Sequence, residues 1–310
     1  MTGSAREEDG GTMDGTGGSK MLRITKEHKI GIMDRQNPPA AICGSGDTVV
    51  FETLDCADGA VTRTGERDYA GKYLRNPATG PLCVRGAKPG DLLRVRILDI
   101  KMADWGFMGT GFGCDCFRTI QGEAALRTFD ISDGTVHLGG KTFPVSPMIG
   151  VIGVAPDGAG IDTVTPLHHG GNMDCTMIGI GADVYFPVSV EGALLALGDL
   201  HAAMGDGEVF QYGLEVAGEV TVRVDVIKND VLRMPAVTRD GVLAVIASGD
   251  DLTQCSELAV TQMYDILVAH GWDRTEAGYL MSMKCDLAVC QTVDPKVTVR
   301  ACMPLELIQA

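Results

Sequence analysis

Between positions 220 and 226 every second residue is valine: Val220, Val222, Val224 and Val226 alternate with Thr221, Arg223 and Asp225. A period of two puts the valines on one face of a strand and the polar residues on the other, so this segment calls for a sheet with one buried face. Related signals recur. Asp47 to Leu54 is rich in β-branched residues and follows the turn signal Gly44-Ser45-Gly46. Asp91 to Ile100 alternates at Arg94, Val95, Arg96 and Ile97, after the turn Lys88-Pro89-Gly90-Asp91. With 41 glycines and only 5% aromatic residues, the chain suits many tight turns better than long helices. Short strands separated by Gly, Pro and Asp turns predict a mainly β fold, a β-sandwich or jelly-roll-like body.

The pattern changes after about residue 248. Asp251-Leu252-Thr253-Gln254 resembles a capping box, Ala259, Met263, Ile266 and Leu267 follow at helical spacing, and Gly271 suits a helix stop. Asp273-Arg274-Thr275-Glu276 opens a second helix to about Met283, and 286–292 and 297–302 read as closing strands. The expected organisation is a disordered leader over 1–20, a β-sandwich-like body over 21–247, and a smaller C-terminal α+β element over 248–310 packed on that body. The leader is expected because residues 1–20 are rich in Gly, Ser and charge, with almost nothing to bury.

A net charge of −15 repels phosphate backbones, which argues against nucleic acid as a partner. No run of about 18 apolar residues predicts a membrane span. The ten cysteines form no CxxC, and Cys114-x-Cys116 is a poor spacing for a zinc clamp. Reduced, mostly buried thiols in a cytoplasmic protein are expected.

Three of six histidines fall among acids and glycines within a short region. In Asp199-Leu200-His201 the two polar residues are i and i+2, so on a strand both point to one side and can reach one cation. A carboxylate and a neutral imidazole suit Zn²⁺ or another divalent first-row ion. A histidine held by a carboxylate in an ordinary polar network is the competing reading of that pair. In His168-His169-Gly170-Gly171-Asn172-Met173-Asp174 the glycines permit positive φ and close backbone approach. There His169, Asn172 and Asp174 supply a nitrogen ligand, an amide and an oxygen ligand, although such a run also serves as a plain turn. Asp206-Gly207-Glu208 reads as hairpin-turn chemistry or a functional acid, and Glu52 and Asp55 as a solvated strand end or part of the same site. Cys56 and Cys175, each beside an aspartate, leave a cysteine nucleophile open as a separate mechanism.

The blocks Asp47–Cys56, Asn76-Pro77-Ala78-Thr79-Gly80-Pro81, Gly86–Asp91, His169–Asp174, Phe186–Ala193, Gly198–Ala202 and Gly205-Asp206-Gly207-Glu208, in this order from about residue 24 onward, resemble the acetamidase/formamidase family. The resemblance implies a β-sandwich-based fold, a homo-oligomer (a dimer or higher), a metal-bearing site, and hydrolysis of short aliphatic amides to acid and ammonia. The matching positions are Glu52, Asp55, His169, Asn172, Asp174, Asp199, His201, Glu208 and Glu215, with His168 ranked below His169. The expected roles are Asp55, His169, Asp174, Asp199 and His201 on the ion, and Glu208 as general base and then acid. Asn172 is expected to donate to the developing oxyanion, and Glu52 and Glu215 to complete the surroundings of the ion or hold a second one. Zn²⁺ is the expected ion, with Ca²⁺ as the alternative, and a small amide is the expected substrate. Two other classes compete: a metal-dependent jelly-roll enzyme of another reaction type, and a Ca²⁺-stabilised, non-catalytic β-sandwich binding protein.

Overall fold

The valine alternation becomes the strand Gly218–Ile227, with Val220, Val222 and Val224 buried and Arg223 exposed. It pairs antiparallel with Thr48–Thr53 on one side and Leu92–Met102 on the other, so the three segments most strand-like in sequence are sheet neighbours. The structure, a computed structural model, describes residues 21–68, 73–110, 120, 122–228 and 231–310. The expected leader over 1–20 and the Cys114-x-Cys116 pair lie outside the described residues.

The fold is mainly β, with two large sheets. The first runs Leu22–Ile24, Thr48–Thr53, Gly218–Ile227, Leu92–Met102, Asp183–Pro187, Ala236–Arg239, Val242–Gly249, Val297–Pro304 and Asp286–Gln291. The second runs Gly170–Asn172, Met148–Gly153, Leu195–His201, Glu215–Val216, Trp105–Gly109 and Leu126–Asp130, and Ala78–Val84 also pairs with Leu195–His201. Phe51, Val95 and Val222 from the first sheet meet Leu82, Ile149, Leu197 and Leu200 from the second in one core, the body of a β-sandwich-like fold. Burying each side chain of this size contributes about 1.5–3 kcal/mol.

Both expected helices are present. Leu252–Ala269 starts at Asp251, whose carboxylate accepts from Gln254 N at 2.9 Å. The return bond of the box is shifted by one residue, because Gln254 Oε1 accepts from Asp250 N. Arg274–Lys284 starts at Asp273, which accepts from Thr275 N and Glu276 N. Gly271, between the helices, has φ of 103°, which a glycine adopts without steric cost. Cys255, Ala259, Met263 and Leu267 pack against Val245, Val299 and Ala301 of the first sheet. The helices therefore cover one end of a sheet whose other strands come from earlier in the chain. Among the described residues, all eight cysteines are free, and no helix is long and apolar enough to cross a membrane.

The strands Met148–Gly153 and Leu195–His201 are buried at every residue. In the latter, Leu197 and Leu200 belong to the intersheet core, while Asp199 and His201 join a buried polar cluster.

Candidate active site

Asp199 and His201 come together, with His201 Nε2 3.8 Å from Asp199 Oδ1. The strand is irregular at this point. Asp199 has φ of 55°, and the ladder passes from the Ile149–Leu200 pair to the Val151–Gly198 pair, leaving Gly150 beside Asp199. A Cβ on Gly150 would lie 2.6 Å from Asp174 Oδ1 and 2.9 Å from Asp199 Oδ2. A bare glycine is what allows the two carboxylates to meet over this strand.

Asp174 arrives from the other side, just after the strand Gly170–Asn172, and has φ of 45°. Gly170 and Gly171 have φ of 98° and 90°, and side chains on them would run into the carbonyl oxygens of Ile152 and Thr165. Their role is to pass the backbone tightly between neighbouring segments. Glu208 follows on a loop and has φ of 47°. Three of the clustered acids, Asp174, Asp199 and Glu208, thus occupy the left-handed region, where a non-glycine residue carries strain of order 1–3 kcal/mol.

The His201 ring is the centre of the cluster. Nδ1 lies 3.7 Å from Asp174 Oδ1, and Nε2 lies 3.3 Å from Oε1 of Glu215, its cross-strand partner. A Cβ on Gly213 would lie 2.4 Å from His201 Cγ, so the ring fills space that this glycine leaves. Ligand atoms of Asp174, His201 and Glu208 lie within 4.8 Å of one another, and so do those of Cys56, Asp199 and Glu215. A polar cavity of about 120 Å³ opens onto Asn172, Asp199, Glu208 and Glu215.

Two residues outside the expected set complete this geometry. Asn76 Nδ2 donates to Asp199 Oδ2 at 2.7 Å, and Asn172 Nδ2 donates to Asp294 Oδ2 at 2.8 Å. Asn76 opens one of the blocks that carried the family resemblance, which was its only signal. Asp294 had none: Asp294-Pro295 reads as an ordinary turn. Its loop is folded by Gln291 Oε1, which accepts from Val293 N and Asp294 N at 2.9 and 3.0 Å.

Other expected residues are not brought into the cluster. Glu52 pairs with Arg23 at 2.7 Å on the surface. Asp55 is buried and belongs to neither group; its Oδ1 accepts from Ala57 N and Gly59 N, which caps its own turn. His169 is buried with neither ring nitrogen partnered, and it too lies outside both groups, while His168 beside it is exposed. Asn172 is in place, but the atom it leaves free is the acceptor Oδ1, because Nδ2 already donates to Asp294.

Burial dominates the electrostatics. It pushes the Asp174 carboxyl up to about 6 and that of Glu215 up to about 7, in each case partly offset by His201. Burial, reinforced by Asp174, also raises Glu208 and Asp294 well above the usual carboxylate range. For His201 burial opposes the charge, but Glu215 and Asp199 outweigh it and raise the imidazole well above its ordinary value. Burial pulls His169 down to about 3, so it is neutral. The Cys56 thiol is raised by burial and stays protonated; the Cys175 thiol is drawn down by its contact with Cys290 and by Arg300, and these neighbours, not the acid cluster, surround it. Neither thiol is set up as a nucleophile in the cluster.

Asp174 Oδ1 and Oδ2, Asp199 Oδ1, His201 Nδ1, Glu208 Oε2 and Glu215 Oε2 are all buried without a hydrogen-bond partner. Acceptors buried in this way are costly unless something compensates them. A divalent cation would compensate them, and carboxylates with an imidazole are ligands that such an ion accepts. The residues fit a metal.

The sequence profile of the acetamidase/formamidase family matches residues 26–159 and 157–310. A formamidase from Methylophilus methylotrophus is 30% identical, with 63% of each chain covered, and a putative formamidase from Schizosaccharomyces pombe is 27% identical over the same shares. The chain thus spans 63% of the length of these curated relatives. Among solved structures, an acetamidase from Bacillus halodurans is 42% identical, with a TM-score of 0.87, covering 92% of this chain and 98% of that one. An acetamidase from Yersinia enterocolitica is 28% identical, with a TM-score of 0.84, covering 94% and 95%.

Proposed function

The chain belongs to the acetamidase/formamidase family, and on that premise we propose that it hydrolyses small primary amides, such as formamide and acetamide, with a divalent cation held by Asp174 and His201 Nδ1 within reach of Glu208, and with Asp199 beside them. The observation that carries the reading is the set of unpartnered buried ligand atoms gathered around the His201 ring.

Amides resist hydrolysis because nitrogen donation stabilises the carbonyl and the amine is a poor leaving group. Zn²⁺ held there would supply Lewis acidity toward the carbonyl and bring the pKa of a bound water down toward about 7. Glu215, 3.3 Å from Nε2, holds the imidazole so that Nδ1 faces Asp174. Asn76 holds Asp199 from behind. Glu208, with one oxygen free and its carboxyl raised by burial, takes a proton from water and delivers it to the departing nitrogen. Water oxygen bonds to the acyl carbon, the C–N bond breaks, and ammonia leaves. Asp294 fixes Asn172 so that Oδ1 accepts an N–H of the substrate amide, which leaves only the second Nδ2 hydrogen for the oxyanion role expected from sequence.

The test is ammonia release from formamide, acetamide and propionamide, as purified, after chelation, and after adding back Zn²⁺ or Ca²⁺. Activity that vanishes and returns with Zn²⁺ supports the reading; activity indifferent to chelation sinks the metal. Glu208→Gln should keep the fold and the ion but lose about 10²–10⁴ in kcat, the usual size of general acid–base catalysis. Near-normal turnover in that variant removes Glu208 from the mechanism.

A further inference from the structure

A second cavity adjoins the acid cluster. It holds about 460 Å³, within the range of small-molecule sites, and Met108, Phe129, Val136, Leu138, Phe143 and Leu214 supply much of its wall. Leu138 and Phe143 come from the hairpin of Thr135–Leu138 and Lys141–Pro144. With Val209 they are the exposed apolar residues of the lining, at 47%, 45% and 52% exposure, where a folded surface would ordinarily be polar.

Glu208 and Tyr212 line both this cavity and the polar one, so the loop that carries them is the partition between the two. Tyr212 stacks where Gly109 has no side chain, since a Cβ there would lie 2.5 Å from its ring. The loop holds three non-glycine residues at positive φ, Glu208 (47°), Phe210 (71°) and Gln211 (74°). The charges in the lining are spoken for. Asp206 is held by Arg300 at 2.9 and 2.6 Å and by Thr176 at 2.7 Å, and Glu208 reaches the cluster of Asp174 and His201. What remains is an uncharged apolar chamber beside a small polar one. The polar chamber, at about 120 Å³, has room for roughly four atoms of water size, enough for an amide group and little more.

We propose that the larger cavity is the acyl site of the same enzyme, so that its best substrates are primary carboxamides with an apolar acyl group of several carbons, the amide lying in the polar cavity and the chain passing the Glu208–Tyr212 partition. This rests on the hydrolytic reading above, and the reaction is the same one: water adds to the acyl carbon and ammonia departs.

The test combines turnover and binding on the full chain. kcat/KM is measured for formamide, acetamide, butyramide, hexanamide and benzamide, and the Kd of acetamide and hexanamide is measured by calorimetry. KM is expected to fall about fourfold per added methylene until the cavity is filled, with Kd following. Val136→Trp, which fills the cavity, is expected to erase the gain for hexanamide relative to acetamide. Phe143→Asp, at an exposed position that tolerates polarity, is expected to reduce it. Short amides turned over with KM flat or rising along the series, and hexanamide binding no tighter than acetamide, would overturn the acyl site and leave the hydrolytic reading standing. Tight, Val136-dependent hexanamide binding without ammonia from any amide would refute hydrolysis and keep only a binding site. Hexanamide binding untouched by both variants, with self-association lost in them, would assign the cavity to a second copy of the chain and overturn the proposal.

Discussion

Gly150→Ala is the sharpest test of the proposed ion site, because it adds one methyl group at the point where Asp174 and Asp199 meet. The new Cβ would lie 2.6 Å from Asp174 Oδ1 and 2.9 Å from both Asp199 O and Oδ2, whereas real Cβ contacts stay beyond 3.0 Å. The Asp174 oxygen must therefore retreat by at least about 0.4 Å, and it has little room because its residue is fully buried. Gly150 does not have a positive φ, so alanine is tolerated by the backbone and the effect is steric alone. Overpacking of this kind costs about 1–3 kcal/mol. In a chain of 310 residues that lowers Tm by about 1.5 °C for each kcal/mol. Displacing both carboxylates should weaken Zn²⁺ by at least about tenfold, as disturbed ligand support does elsewhere. The assay is Zn²⁺ affinity by competition with a chromogenic chelator, alongside Tm and ammonia release. Gly158→Ala is the control, since a Cβ there meets nothing within 4 Å. Wild-type affinity and turnover in Gly150→Ala, or equal damage in Gly158→Ala, would refute the reasoning.

Stability of the metal-free protein should fall as pH rises. Asp174 and Glu215 are pushed up to about 6 and 7 from ordinary values near 4, and His201 is raised as well. Between those values the native state binds more protons than the unfolded state, so the chelated protein should have a lower Tm at pH 7.5 than at pH 5.5. Zn²⁺ requires these carboxylates deprotonated, so the Tm gain on adding it should grow over the same range; a chelated Tm that rises with pH contradicts both statements. Glu52→Gln breaks only the surface pair with Arg23, so its Tm should change by less than that of Gly150→Ala and its ammonia release should not change; a large loss of Zn²⁺ affinity would bring Glu52 back into the site. Asp294→Ala frees the Asn172 amide and should raise KM more than it lowers kcat; an unchanged KM would remove Asp294 from substrate binding.

The elements legible in the sequence are those whose cause is local. Val220 to Val226 announces a strand by period alone, and Asp251 and Asp273 announce helix starts because a cap is made within three residues. Asp199 and His201 stand out by local spacing, and they do meet, but through an irregular strand in which Asp199 has φ of 55° rather than through plain alternation. What could not be read depends on partners far along the chain. Asp294 joins Asn172 across 122 residues, and Asn76 joins Asp199 across 123. Gly150 and Gly213 matter only through what lies above them, and a glycine in sequence does not say what passes over it. The placement of Glu52 and Asp55 has the same origin. Glu52 has the residue type and the setting of a ligand, but its strand position sends it to Arg23, and Asp55 is taken up by its own turn.

The hydrogen bond between Asn172 and Asp294 has a consequence for how the protein is made. Asn172 belongs to the second sheet, while Asp294 lies between the last two strands of the first, Asp286–Gln291 and Val297–Pro304. Asp174, Asp199, His201, Glu208 and Glu215 are all synthesised well before Asp294 emerges. At about 5–20 residues per second, several seconds pass between Glu215 and Asp294, during which the acids exist without the loop that closes over them. An ion captured in that interval would be held by an open, incompletely ordered set of ligands and exchange freely. On the proposed reading, secure loading of a cation would belong to the time after the C-terminal strands have docked, so a chain stalled before residue 294 should emerge from translation metal-poor even when Zn²⁺ is abundant.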